Sequence, residues 1–273
     1  MIEAPYPGLN DLLTMMGDAG LRMSEIGACE GAAGNISICL HWPMELNDLF
    51  PEESEIELTQ PAPKLAGATL LVSGSGTRLR EIKDDPAANI ACIAVNDGGQ
   101  NGRLYTSHHR RFERVTSEFN SHLAVHYNQM IASGTNFHAI IHAQPVYLTL
   151  LGHIPRYQNE QVLNTHLMRW QPETIINLPE GIGFIPFCLP GSAELMAANV
   201  ENLRHHRIVV WAKHGVMARS DVSVKLVADW IEYAETAAKY EYLNLAIGEM
   251  AEGLSVEEIR SICKALNLKQ RIF

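Results

Sequence analysis

The sequence predicts a single α/β domain over residues 1–273, in which helices pack on a mixed or mainly antiparallel sheet. Two observations carry this reading. Short apolar runs of strand character follow one another with few helical periods between them, as at Ala68–Val72 and Ile90–Val95, whereas a doubly wound parallel sheet needs a helix after each strand. Longer stretches with three-four apolar spacing flank those runs, and no repeat, linker or low-complexity tract divides the chain.

Leu9, Leu12, Leu13, Met16, Gly20 and Met23 set the period of an amphipathic helix over 9–26. Glu30–Ser37 is a small-residue loop running into an alternating strand; its tight turns leave N–H groups free to face an anion, although most such loops only turn. Residues 41–64, with Glu52, Glu53, Glu55 and Glu57 before Pro61 and Pro63, read as an acidic surface excursion, in part a hairpin, with an extended return. The strand at 68–72 runs directly into Ser73-Gly74-Ser75-Gly76, where glycines permit close approach and hydroxyls and amides donate, as a phosphate requires. A strand-to-helix turn with capping serines explains the same residues equally well, and the stretch is neither a Walker loop nor a dinucleotide fingerprint. Asp84–Asn89 is a turn or short helical start, and Arg103–Thr106 can fold back on the strand at 90–95 as a hairpin.

Thr116 or Ser117 offers an N-cap to a helix whose apolar period follows, which puts Glu118 in the first turn. There the dipole favours a carboxylate and free N–H groups can hold a ligand, though dipole compensation alone is the commoner reason for such a glutamate. His122 and His126 share a face of that helix, but no glutamate lies between them as in a metalloprotease helix, so they read as packing or supporting residues. Ile140–Pro145 is an apolar strand that delivers His142 and Gln144 to one face before Pro145 ends the ladder. This is metal-ligand spacing, and equally a core strand capped by a satisfied histidine. A short helix at Val146–Leu151, a strand within Glu180–Phe187 and a helix at Ala193–Leu203 follow. Arg207–Gly215 repeats the design of an apolar strand delivering a histidine, here His214, and helices at Val222–Gly248 and Ser255–Leu266 close the chain.

Composition excludes several classes. A net charge of -10 argues against non-specific nucleic-acid binding, so an anionic substrate needs a local pocket. No apolar run has the length of a membrane span, and Met1–Pro5 lacks the basic start and apolar core of a secretory signal, which predicts a cytoplasmic location and no membrane partner. The 5 cysteines are odd in number and scattered among apolar neighbours, as expected for reduced thiols.

Taken in order, Glu30–Ser37, Ile56–Pro61, Val72–Gly76, Asp85–Asn89, Thr116–Glu118 with His122, Ile141-His142, Gly181–Gly183 with Pro190-Gly191, and Trp211–Gly215 resemble the class II metal-dependent aldolase/adducin family, across nearly the whole chain. The Gln60-Pro61 return and Pro179–Gly183 look most like its rhamnulose-phosphate branch. The resemblance implies an αβα domain with a central, largely antiparallel sheet, assembled as a homotetramer with active sites at subunit boundaries. It also implies retro-aldol cleavage of a phosphorylated sugar, L-rhamnulose 1-phosphate, to dihydroxyacetone phosphate and L-lactaldehyde. His142 and His214 match ligands of Zn2+, which stabilises the enediolate left by carbon-carbon cleavage. Glu118 matches the carboxylate that moves a proton at the enediolate carbon, and Glu173 a second acid/base that reaches a neighbouring subunit's site. Asn35, Ser73, Gly74, Ser75, Gly76, Thr116 and Ser117 map onto the pocket for the phosphate and ketose end. Two positions depart from the pattern. Gln144 stands where the family carries a third histidine, and an amide oxygen is the poorer zinc ligand, which implies looser zinc binding or another, harder divalent metal. Ala32 stands where close relatives carry an asparagine that helps hold substrate. Alternative readings are a sugar-phosphate epimerase of the same fold and a non-catalytic adducin-like module with a degraded metal site.

Overall fold

The computed structural model describes residues 1–273. Nine strands form one sheet: β1 (Asn35–Leu40), β2 (Glu52–Glu57), β3 (Thr69–Ser73), β4 (Ile90–Val95), β5 (Asn101–Thr106), β6 (Phe137–Ala143), β7 (Gly183–Ile185), β8 (Ile208–Trp211) and β9 (Gly215–Ser220). Their order is β2-β5-β4-β3-β1-β6-β9-β8-β7, and every pairing is antiparallel except that of β7 with β8. The mainly antiparallel expectation holds, and β3–β4, β4–β5 and β8–β9 pair consecutive strands without the long crossover that parallel pairing demands.

Alternation along the central strands divides the molecule into two faces. Ile36, Ile38 and Leu40 of β1 and Phe137, Ala139, Ile141 and Ala143 of β6 enter the large core. That core is closed by α1 (Leu9–Glu25) and the long α8 (Val224–Ala246), with α4 (Val146–Leu151), α5 (Glu160–Leu167), α6 (Pro172–Asn177) and α9 (Val256–Ala265) around them. The opposite face lies under α3 (Phe119–Ser133) and α7 (Ala193–Asn202), and it receives Asn35 and Ser37 from β1 and His138, Ile140 and His142 from β6. A short α2 (Pro86–Asn89) begins at Asp85, whose carboxylate accepts from Ala88 N–H. No helix is long and apolar enough to cross a membrane.

Several expected elements shift. The acidic stretch holds the edge strand β2, which pairs with β5 rather than forming a local hairpin; Glu53 meets Arg103, and Glu52 meets Arg110 and His108. Charges on an edge oppose pairing with another molecule. The strand expected at 180–187 shrinks to Gly183–Ile185, and the one at 207–215 ends at Trp211. A tight hairpin follows, with Trp211 opposite Gly215, so His214 stands in a loop and the chain returns as an unforeseen strand, β9. Lys213 takes positive φ (62°) to close that turn. The helices α5 and α6 were not predicted, because their short apolar periods are interrupted by polar and proline residues.

On α8, the buried Glu241 gathers the lid of helices over this core. Its carboxylate accepts from Trp170 Nε1 (3.0 Å), Arg169 Nη2 (3.2 Å) and the Tyr157 hydroxyl. Burial pushes the carboxyl up, but His166, Tyr157 and Arg169 outweigh burial and hold it at about 2. The stability it contributes is therefore complete above the ordinary value of 4.5 and drains away as pH falls toward 2. Glu241→Gln should lower the unfolding free energy near neutral pH by about 2 kcal/mol, below the usual cost of breaking a buried pair because Arg169 stays partly hydrated. It should also flatten the acid limb of the stability curve; an acid limb as steep as that of the unmodified protein would contradict the assignment.

Candidate active site

The register of the central strands builds the site. Asn35 lies opposite His142 in the β1–β6 pairing, and His142 lies opposite Met217 of β9, so three adjacent strands bring their ends to one place. Thr116 is fastened to the end of β3 by its N–H, which donates to Ser73 O (3.0 Å). Its hydroxyl accepts from Glu118 N–H (3.3 Å), and α3 starts there. Glu118 itself is the N-cap of α3, with extra-helical ψ of 16°, so the cap expected at Thr116 or Ser117 falls one or two residues later. From this position its carboxylate turns inward instead of capping the helix.

Glu118, His142 and His214 offer ligand atoms that all lie within 4.8 Å of one another. Glu118 Oε2 is 3.5 Å from His142 Nε2, and Oε1 is 3.9 Å from His214 Nε2. Asn35 Nδ2 donates to Oε2 (2.8 Å). Glu118 is only 4% exposed. Burial pushes its carboxyl up, but His142, the Asn35 hydrogen bond and His214 outweigh burial and hold it below the usual carboxylate range. His214 is pushed down, first by burial and then by His142, which favours the neutral imidazole that a metal needs. The ring of His142 is fixed on two sides: Nδ1 donates to Val216 O (2.8 Å), and the ring stacks on Trp211 at 4.4 Å between centroids. That carbonyl selects the tautomer with a free lone pair on Nε2, the atom that faces Glu118. Gly215 must be glycine, since a Cβ there would lie 2.4 Å from Ala143 O and 3.2 Å from His142 Cε1.

Two imidazoles suit a divalent ion of borderline character and the Glu118 carboxylate beside them balances its charge, so the group fits the metal that the family resemblance implies. Gln144 lies one residue past β6 and lines the same cavity, its N–H spent on Ala28 O (2.6 Å).

The cavity, about 210 Å³, is lined by Asn35, Gly74, Ser75, Gly76, Thr116 and Ser117 together with Glu118, His142, Gln144 and His214. Ala32, Gly34 and Pro190 complete its wall. Two expected residues stand apart. Ser73 lies beneath the wall, its hydroxyl accepting from Ile36 N–H (3.1 Å). Glu173 sits exposed in the first turn of α6 and does not line this cavity. The glycine loop also differs from a cradle of free amides: Gly74 N–H donates to Asn89 O (2.9 Å) and Ser75 N–H to Arg114 O (2.8 Å). The Ser75 and Ser117 hydroxyls and the Gly76 N–H make no such bonds, and all three residues line the cavity. Gly74 serves packing, because a Cβ there would lie 2.1 Å from the Phe112 ring. Sequence reading missed Trp211 as the platform under His142; an aromatic residue three positions before a strand-end histidine was the available signal.

The fold and the group of Glu118, His142 and His214 fit a class II aldolase, in which such a group would hold a divalent metal. The chain belongs to the family described as class II aldolase and adducin N-terminal domain, whose sequence profile matches residues 15–242. It is similar to the rhamnulose-1-phosphate aldolase of Yersinia pseudotuberculosis serotype O:1b, with 28% identity over 214 residues, covering 78% of this chain and 76% of the relative. A sugar-phosphate aldolase from Thermotoga maritima superposes with a TM-score of 0.74 at 28% identity, covering 88% of this chain and 97% of that one. The l-fuculose-1-phosphate aldolase from Thermus thermophilus shares the fold, with a TM-score of 0.56 at 15% identity over 89% of this chain and 98% of its own.

Metal analysis of the purified protein should find one divalent ion per chain, with His142→Ala abolishing stoichiometric binding and His214→Ala weakening it at least about tenfold. Retention of the ion in both variants would place the metal elsewhere.

Proposed function

We propose that the protein cleaves L-rhamnulose 1-phosphate to dihydroxyacetone phosphate and L-lactaldehyde. The observation that carries this reading is a buried carboxylate, Glu118, held between two imidazoles at the floor of a cavity walled by neutral hydroxyl and amide donors. In this reading the Ser75 and Ser117 hydroxyls and the Gly76 N–H bind the phosphate, which reconciles an anionic substrate with an acidic chain. Asn35 orients Glu118 and the ketose end.

Loss of the C4 hydroxyl proton lets the C3–C4 bond break, the aldehyde departs, and the electron pair remains on C3 next to the C2 carbonyl. The Glu118 carboxylate takes up that proton and delivers it to C3, which completes dihydroxyacetone phosphate and restores the carboxylate. His142 and His214 would hold the divalent ion, which when bound supplies Lewis-acid stabilisation for the charge that develops on the ketone oxygen. Glu173, exposed on α6, supplies the second acid/base to a neighbouring subunit's cavity within a homotetramer. Gln144, an amide in place of an imidazole, loosens zinc and favours a harder ion, and Ala32 leaves the rim of the cavity smaller by one polar side chain.

A coupled assay for released dihydroxyacetone phosphate separates cleavage from epimerisation. Activity should vanish on chelation and return with divalent ions, and Glu118→Gln should lower kcat by roughly 10²–10⁴-fold. Gln144→His should tighten zinc binding and raise activity with zinc. An epimerised product without release of dihydroxyacetone phosphate would overturn the proposed reaction, and full activity after complete metal removal would overturn its metal dependence.

A further inference from the structure

Behind the cavity, the face of the sheet under α3 carries a continuous line of buried polar side chains that leads to Asn35 and Glu118. His138 Nδ1 meets His126 Nδ1 (2.7 Å), His126 Nε2 meets Ser37 Oγ (2.7 Å), and Ser37 Oγ meets His122 Nδ1 (2.6 Å). His122 Nε2 then meets Asn35 Oδ1, and Asn35 Nδ2 reaches Glu118 Oε2. The three imidazoles and Ser37 have no solvent exposure.

The direction of every bond follows from one end. The Glu118 carboxylate can only accept, so the Asn35 amide donates to it and the Asn35 carbonyl must accept from His122 Nε2–H. A neutral His122 then has a lone pair at Nδ1, which takes the single Ser37 hydroxyl proton. Ser37 must therefore accept from His126 Nε2–H, and His126 Nδ1 from His138 Nδ1–H. Burial keeps the rings neutral: it pushes His122 down to about 3 and the other two well below the ordinary imidazole value. At the far end His138 Nε2 is left without a donor, 3.8 Å from Asp221 Oδ1, which likewise makes no hydrogen bond and lies 3.7 Å from Arg219 Nη1. All five donors thus point toward Glu118, an arrangement in which each bond polarises the next.

We propose that Ser37, His122, His126 and His138 form a one-directional positioning chain that locks the Asn35 carboxamide and, through it, pins Oε2 of Glu118, leaving Oε1 toward His214 and the cavity for proton transfer. The catalytic part of this statement rests on the aldolase reading above; the hydrogen-bond order does not. Four uncharged side chains, none of them at the cavity, would then govern turnover.

Two measurements test it. In protein labelled with 15N-histidine, the imidazole shifts at neutral pH should show His122 and His126 as Nε2–H tautomers and His138 as the Nδ1–H tautomer. A different tautomer or an imidazolium at any of the three overturns the chain. In the metal-loaded enzyme, Ser37→Ala should lower kcat about tenfold to a hundredfold with KM for the ketose phosphate changed less than about twofold. Ser37→Cys, of similar shape with a weaker donor, should fall between and serves if Ser37→Ala does not fold. Unchanged kcat in a folded variant, or a loss matching only the unfolded fraction, overturns the positioning role. If the unmodified protein cleaves no ketose phosphate, the proposed reaction fails by itself. The chain is then judged by the Asn35 carboxamide resonance, which should shift in Ser37→Ala or Ser37→Cys; an unmoved resonance overturns it.

Discussion

A carboxylate that is 4% exposed is the constraint around which the centre of this molecule is arranged. Removing its charge from water costs several kcal/mol unless neighbours replace the lost hydration. Asn35 supplies a hydrogen bond, and His142 and His214 place nitrogen atoms 3.5 and 3.9 Å away, from which they would hold a balancing cation beside it. Each of these comes from a different element, so the sheet order follows the chemistry: β1 brings Asn35, β6 brings His142, and the β8–β9 turn brings His214. The three are in place only because β1, β6 and β9 are neighbours.

The same constraint explains why the two faces of the sheet differ. Aliphatic residues alone fill the side of β1 that meets α1 and α8, and β6 adds only Phe137 to them, because packing is the whole requirement there. Under α3 the strands alternate to Asn35, Ser37, His138 and His142, and two histidines of α3 descend to meet them. A buried polar layer is tolerable only when its members satisfy one another, and this one does so in series up to its outer end at His138. The glycines divide in kind. Gly74 and Gly215 are fixed by the Phe112 ring and the Ala143 carbonyl, which a Cβ would strike, while Gly76 turns at positive φ with open space beside it.

Much of this was legible from period and chemistry. Two-residue alternation placed His142 toward a site, and helical period placed His122 and His126 on one face; carried back along β6, the same alternation reaches His138. The fold class was legible from the density of strands. What escaped depends on contacts distant in sequence. The β8–β9 hairpin was hidden because an apolar run ending in histidine looks alike whether the histidine ends a strand or sits in a turn. The cap at Glu118 was hidden because Thr116 carries the better capping side chain, yet here that hydroxyl only steadies the Glu118 N–H. The occupied amides of Gly74 and Ser75 could not be foreseen either, since their acceptors, Asn89 and Arg114, lie far along the chain. Glu173 is exposed on α6 and does not line this cavity.

The most direct test of the account isolates the step assigned to Glu118 from the identity of the aldehyde. Dihydroxyacetone phosphate alone, incubated in D2O with the metal-loaded protein and followed by proton NMR, should lose one hydroxymethyl proton to solvent exchange, and Glu118→Gln should suppress that loss. Absence of exchange with metal bound, or exchange that survives Glu118→Gln, would contradict the claim that this buried carboxylate moves the proton.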